Sequence, residues 1–257
     1  MHTAIRTELL KLGTTRFTAG LLAAAAAWTA LVASIESSRS GASGMVPSLA
    51  SAAGERDVLT STGFALIVAM VFGAMVTSGE FRHRTATDTY LDEPDRARVL
   101  MAKTVVAALG GAMFGLVGTA ITTVVGLGFA ASKDDHVTLA ASTIARYSAG
   151  AVLGAALLAA IGAGLGALIR GQVASIIAVF AWGFGVEQIV GGLISSAAPY
   201  LPFMAAATMA GAGSGGMPPL PKGLSPLPFA GVAALLVGVV VMFGLVAAQT
   251  SLRRDVS

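Results

Sequence analysis

Residues 79–103 read GEFRHRTATDTYLDEPDRARVLMAK, the densest run of charge in a chain that is otherwise mostly Ala, Gly, Val and Leu. Long apolar runs flank it on both sides. The stretch predicts two short helices. Phe81 to about Asp92 forms the first, and Glu93 ends it because a residue before proline is pushed out of the α region. Pro94 suits the first turn of the second, with Asp92 or Glu93 near its cap and Asp95 in its positive first turn. That second helix carries Arg96, Arg98 and Lys103 into the next apolar run. Taken alone, the stretch reads equally as a solvated loop kept out of lipid by its charge and as a docking surface.

Composition sets the environment. Hydrophobic residues make up 55% of the chain and charged ones 11%. Several apolar runs approach or exceed the ~20 residues that cross a bilayer. Abundant Gly and Ala fit helices packed closely in lipid. The expected class is all-α: a polytopic membrane protein with six transmembrane helices. The net charge of +3 is spread over loops instead of forming a basic stripe with aromatics, which argues against a nucleic-acid partner. With no cysteine in the chain, disulfides and thiolate metal sites are excluded.

Read in order, residues 1–16 predict a short amphipathic helix at the membrane face, with Ile5, Leu9 and Leu12 at helical spacing. The first span is expected at 17–35. A cleaved signal peptide ending near Ala33-Ser34 is the competing reading, but the apolar run exceeds the usual 7–15 residues. A Ser- and Gly-rich loop follows over 36–57. Spans two to four are expected at 58–78, 104–131 and 144–169, with a polar hairpin at 133–136 between the last two. Arg170-Gly171-Gln172 is a very short turn into span five at 173–194, which predicts antiparallel neighbours. The sixth span is expected at 228–249. Residues 195–227 differ from the other loops, because six prolines surround an apolar core from Leu201 to Met209. That core is too short to span and too apolar for a free loop, so a re-entrant or interfacial segment is predicted.

Charge sets the orientation. Six spans with both termini in the cytosol leave Arg39, Arg56, Lys133, Arg146 and Lys222 outside and the remaining basic residues inside. This is the positive-inside bias, and it puts 79–103 in the cytosol, with the chain in the cell membrane as a multi-pass protein.

At this point the sequence resembles the permease subunits of type-2 ATP-binding-cassette (ABC) exporters. The resemblance rests on the order of Glu80, Phe81, Arg82, Thr85, Leu91, Pro94, Arg96, Arg98 and Lys103, which matches the family's segment between spans two and three. It extends more weakly to Glu8, Lys11, Leu12 and Arg16, and to the Pro-rich segment before the last span. Arg84 departs from the pattern, since the family commonly has Gly before Thr. The resemblance implies that 79–103 carries a coupling helix docking on a separate ATPase, with Arg84 and Tyr90 joining the matched positions at that surface. It further implies two permease chains, alike or different, with two ATPase copies in one bilayer-embedded assembly. ATP and Mg would then bind on the partner.

The chain has no G-x-x-x-x-G-K-[ST] run, so it cannot cradle nucleotide phosphates in a P-loop. It is expected to be no enzyme and to bind no cofactor or metal itself. Its histidines lie in polar stretches, and no Asp lies within a span. The clear intramembrane acid is Glu187, next to Gln188 in the fifth span. A buried charge in a span marks a functional site by default, so this pair is the candidate substrate path. The alternative is a protonated or partnered structural acid facing another helix, near Arg146. Trp28 and Trp182 carry no assigned role. The alternatives to an exporter subunit are a secondary transporter driven by an ion gradient and a non-transport membrane scaffold.

Overall fold

Backbone polar groups in hydrocarbon must be satisfied within the segment, which leaves the helix as the available form for apolar runs of this length. The computed structural model describes residues 5–8, 10, 16–41, 47–83, 95–133, 136–211 and 224–249. Within helices it leaves undescribed the side chains of Arg16, Glu80, Phe81, Arg82, His83 and Arg96. The described residues contain helices and no strand, and six helices are long and apolar enough to cross a membrane.

Helix α1 spans Arg16–Arg39, about a turn longer than expected. The expected loop over 36–57 is partly helical, because α2 covers Ala52–Leu59 with Ser51 as its N-cap. The Ser51 side chain accepts a bond from the Gly54 amide at 3.3 Å. Span two therefore does not begin as one helix at Val58. The chain breaks at Thr60–Thr62, and α3 starts at Gly63 and runs to His83. The cause is local. Thr60 and Ser61 turn their hydroxyls back onto the carbonyls of Asp57 and Val58, a competition with the helix that such residues commonly win at helix ends.

The expectation of a new helix at Phe81 is also corrected, since α3 passes without interruption through Phe81 to His83. Gly79 alone is too weak a breaker to stop it. Helix α4 spans Arg96–Ser132, and its N-cap is Asp95, one residue earlier than the first-turn place expected for it. The Asp95 carboxylate accepts the Arg98 amide at 3.1 Å.

Helix α5, Ala141–Ile169, is the hub. It packs most extensively on α3 and α4. Two glycines set how close α3 can come: a methyl group at Gly162 would overlap the carbonyl of Met70, and one at Gly73 the carbonyl of Ala159. Backbone contact of this kind gives dispersion its shortest range. Thr77 Oγ1 adds a bond to the Ala163 carbonyl at 2.8 Å. The result is an uneven bundle, in which 83% of the second apolar window is buried and 11% of the sixth.

Arg170, left-handed at φ 58°, closes α5. The fifth span is not one α-helix. It is α6 (Gln172–Phe180), a π-helical turn (Ala181–Val186) and α7 (Glu187–Leu193). Helix α6 packs more on α3 than on its sequence neighbour α5, so the antiparallel pairing expected from the short turn is the lesser contact. A 3-10 helix at Ser195–Tyr200 and the short α8 (Pro202–Met209) then fold back into the bundle. Phe203 to Ala207 and Met209 are all buried. A methyl at Gly150 of α5 would overlap the Met209 carbonyl, which sets α8 against the first half of α5. Helix α9, Phe229–Gln249, closes the bundle.

Candidate functional site

The break in span five decides what Glu187 can reach. On a regular helix, residues five apart sit about 140° around the axis from each other, so Trp182 and Glu187 would face different ways. The π turn widens the coil locally and brings them together. Trp182 Nε1 donates to Glu187 Oε1 at 2.7 Å. Gln188 is held by the same turn, its Nε2 donating to the Gly183 carbonyl at 3.2 Å. Gly183 leaves room for Phe203, whose ring would crowd a methyl there at 2.9 Å.

The remaining partners of Glu187 come from α8. The first amides of any helix lack intrahelical acceptors. Leu201, the N-cap of α8, makes no side-chain cap bond, and Pro202 follows at the first helical position. Proline has no amide hydrogen to satisfy, so the next two amides carry the need. Phe203 N lies 3.0 Å from both carboxylate oxygens of Glu187, and Met204 N lies 3.1 Å from Oε2. Glu187 has no exposed surface. A carboxylate also suits the positive end of a helix electrostatically. The group is acceptor-only when ionised, and each of these partners is an N–H donor. The arrangement therefore holds α8 in place. The structural reading of Glu187 gains from this, with the correction that its partners are an indole and two backbone amides, not Arg146. Trp182, given no role from sequence, belongs to the site.

A second glutamate repeats the device. The N-cap of α5, Ala140, has no side-chain cap bond. Glu55 of α2 reaches the segment just before it. Its Oε1 accepts from the amide of Thr138 and from the Thr138 hydroxyl at 3.1 Å, and its Oε2 accepts the Leu139 amide at 2.7 Å. Arg56 stacks 5.5 Å over the Tyr147 ring, and that ring lies against Gly211, where a side chain is ruled out by both space and φ +87°. Lys133 Nζ donates to the carbonyls of Ser37 and Ser40, at 3.1 and 3.4 Å. Helices α1, α2, α4, α5 and α8 are thus cross-tied at one end of the bundle.

At the other end Lys103 meets Glu8 at 3.0 Å, with both side chains buried. Lys103 is an internal anchor between the N-terminal segment and α4, and offers little surface to a partner. Arg98 is about half exposed and lies 3.7 Å from Asp95. Glu80, Phe81, Arg82 and Arg96 are placed on helices by their backbone alone, while Arg84, Thr85, Tyr90, Leu91 and Pro94 lie outside the described residues. The structure therefore brings together Glu187, Trp182 and α8, and separately Glu8 and Lys103. Among the described residues, no three His, Asp or Glu side chains gather where they could hold a metal ion. No protein-family model matches the chain, and no curated protein is significantly similar to it.

Proposed function

We propose that the chain is the membrane-spanning subunit of an ATP-driven ABC exporter, coupled to a separate ATPase through residues 79–103. The observation that carries this reading is the return of Ser195–Met209 into the bundle between the fifth and sixth apolar helices. That layout, six apolar helices with a short helical re-entry before the last, is the one implied by the resemblance of 79–103. The buried Glu8–Lys103 pair adds support by fixing the N-terminal segment beside the start of α4, where closure of an ATPase would deliver its force. In this mechanism two permease chains rock between inward- and outward-open states, and the chain carries out no covalent step.

The test is purification from the native membrane, with mass spectrometry for a Walker-motif ATPase. Interface energy concentrates in a few aromatic and Arg anchors, and truncating one costs about 2 kcal/mol or more, roughly a thirtyfold loss of affinity. Tyr90→Ala should leave the chain inserted yet release the ATPase and stop ATP-dependent transport. Absence of any such ATPase from the wild-type preparation would sink the proposal. A gradient-driven carrier is the second reading, favoured by the broken fifth span with its buried acid. Transport that survives ATP depletion and collapses with the ion gradient would select it.

A further inference from the structure

The fully buried positions of the fifth span are Ser175, Val179, Gly183, Glu187 and Gly191, one in every four. On a regular helix each step of four advances about 40°, so these five would wind about 160° around the axis. All five nevertheless lie on the buried side. Ile177 and Ile189, which a regular helix would set about 120° apart, are both 61% exposed. The π turn between them accounts for this. Its one extra residue takes back about 100° of rotation. Glu187 and Gly191 therefore face α8 only while the turn stays π-helical.

The bonds that hold the turn are specific to that form. The Glu187 amide donates to the Trp182 carbonyl five residues back, and the Trp182 indole donates to the Glu187 carboxylate in return. Gln188 and Gly183, also five apart, make the second side-chain bond. An α-helix would set each pair about 140° apart and break both side-chain bonds. The two halves of the span also rest on different partners. Helix α6 packs on α3, whereas α7 packs chiefly on its chain neighbours, the π turn and the 3-10 helix. Its ties to α8 are the Glu187 carboxylate and Gly191, where Met204 Cε would crowd a methyl at 2.9 Å. Gly183 and Gly185 weaken the helix between the halves. A methyl at Gly185 or Gly192 would meet no atom within 4 Å, so α7 has room to turn. Ile194, non-helical at φ −123° and ψ 77°, ends α7 and supplies a second pivot. We infer that the π turn is a hinge latched by Glu187: when the carboxylate releases Trp182 and α8, the turn relaxes to α-helix and α7 rotates by about 100°. Helix α6 stays on α3, and α8 stays on α5, where its Met209 carbonyl abuts Gly150. The rotation turns Glu187 away from α8. This does not depend on the transport reading.

The chain's lack of cysteine allows spin labels on paired cysteines, with distances read by pulsed electron resonance. Ile177→Cys with Ile189→Cys spans the hinge. Leu116→Cys with Ile177→Cys reports whether α6 stays on the bundle, Leu116 being an exposed residue of α4. With the latch intact, the first pair should give one dominant distance. Glu187→Ala should replace it with one about 6 Å longer, for labels carried about 8 Å from the axis. Trp182→Phe should give a mixture of the two, and the distance from 116 to 177 should not change. Deleting Gly185 removes the extra residue and sets Trp182 four before Glu187, on one face of a regular helix. In that background the short distance should persist even with Glu187→Ala. An unchanged distance across the hinge in folded Glu187→Ala and Trp182→Phe proteins would overturn the inference. So would the longer distance appearing with Gly185 deleted. If Glu187→Ala or the deletion fails to fold, Trp182→Phe decides alone: the mixture supports the hinge and a single unchanged distance overturns it.

Discussion

Glu187 and Glu55 do the same job in different surroundings. Each reaches from its own element to free amides at or just before the start of another helix that lacks a side-chain cap: α8 for Glu187, α5 for Glu55. Glu187 has no exposed surface and meets only N–H donors. Glu55 keeps a sliver of exposure, and one of its partners is a hydroxyl on an exposed residue. The difference teaches where rigidity resides. If Glu187 is lost, neither water nor a mobile loop is at hand to replace it, whereas the segment at 136–140 can move and be rehydrated.

The comparison breaks or holds on amide exchange. The largest effect is expected for Glu187→Ala, which leaves the Phe203 and Met204 amides and the Trp182 indole without an acceptor. Unsatisfied buried donors cost about 1–3 kcal/mol each. Allowing for relaxation of α8, about 3 kcal/mol is expected in all, or roughly a 150-fold faster exchange at Phe203 and Met204. Glu55→Ala should speed exchange at Thr138 and Leu139 by about thirtyfold, matching about 2 kcal/mol. A larger effect at 55 than at 187 would reverse the ranking and the reason given for it.

Trp182→Phe comes next. It removes one donor to a charged acceptor, worth about 1.5 kcal/mol, and keeps the ring. Exchange at Phe203 should rise about tenfold, while Thr138 and Leu139 do not change. An unchanged Phe203 amide would mean that the indole merely lies near the carboxylate.

These two sites also show what a sequence can and cannot reveal. The six apolar helices were legible because the signal is summed over about twenty residues, and apolar residues crowded between prolines marked 201–209 as unlike a free loop, where a short buried helix forms. Glu187 stood out as an acid in an apolar run. Trp182 did not, because a spacing of five puts two residues on different faces of a regular helix, and it is the π turn at Ala181–Val186 that brings them together. Glu55 was hidden for another reason. It sits in Ala-Ala-Gly-Glu-Arg-Asp, which reads as solvated loop, and its partners lie more than eighty residues away. Ser51 as a helix N-cap was the available local clue. It would have placed Glu55 on a helix, though without naming its partner. The resemblance puts Lys103 at the ATPase-facing surface, and only the fold brings Glu8 to it.

The smallest expected effect is the sharpest test, since it separates charge from hydrogen bonding. Glutamine keeps one carbonyl oxygen and replaces the other with an NH2 donor. At 187 the NH2 must face an N–H whichever way the amide is turned, because both carboxylate oxygens accept from backbone amides. At 55 the oxygen can keep the Thr138 amide and hydroxyl, which leaves the NH2 against Leu139 alone. Leu139 is in a partly exposed segment that can shift and take up water. Glu55→Gln should then cost about 0.7 kcal/mol, roughly a threefold faster exchange at Leu139 with Thr138 almost unchanged. Glu187→Gln should cost more than twice that. Equal costs at the two positions would mean that the negative charge at the helix start, common to both, outweighs the donor pattern that distinguishes them.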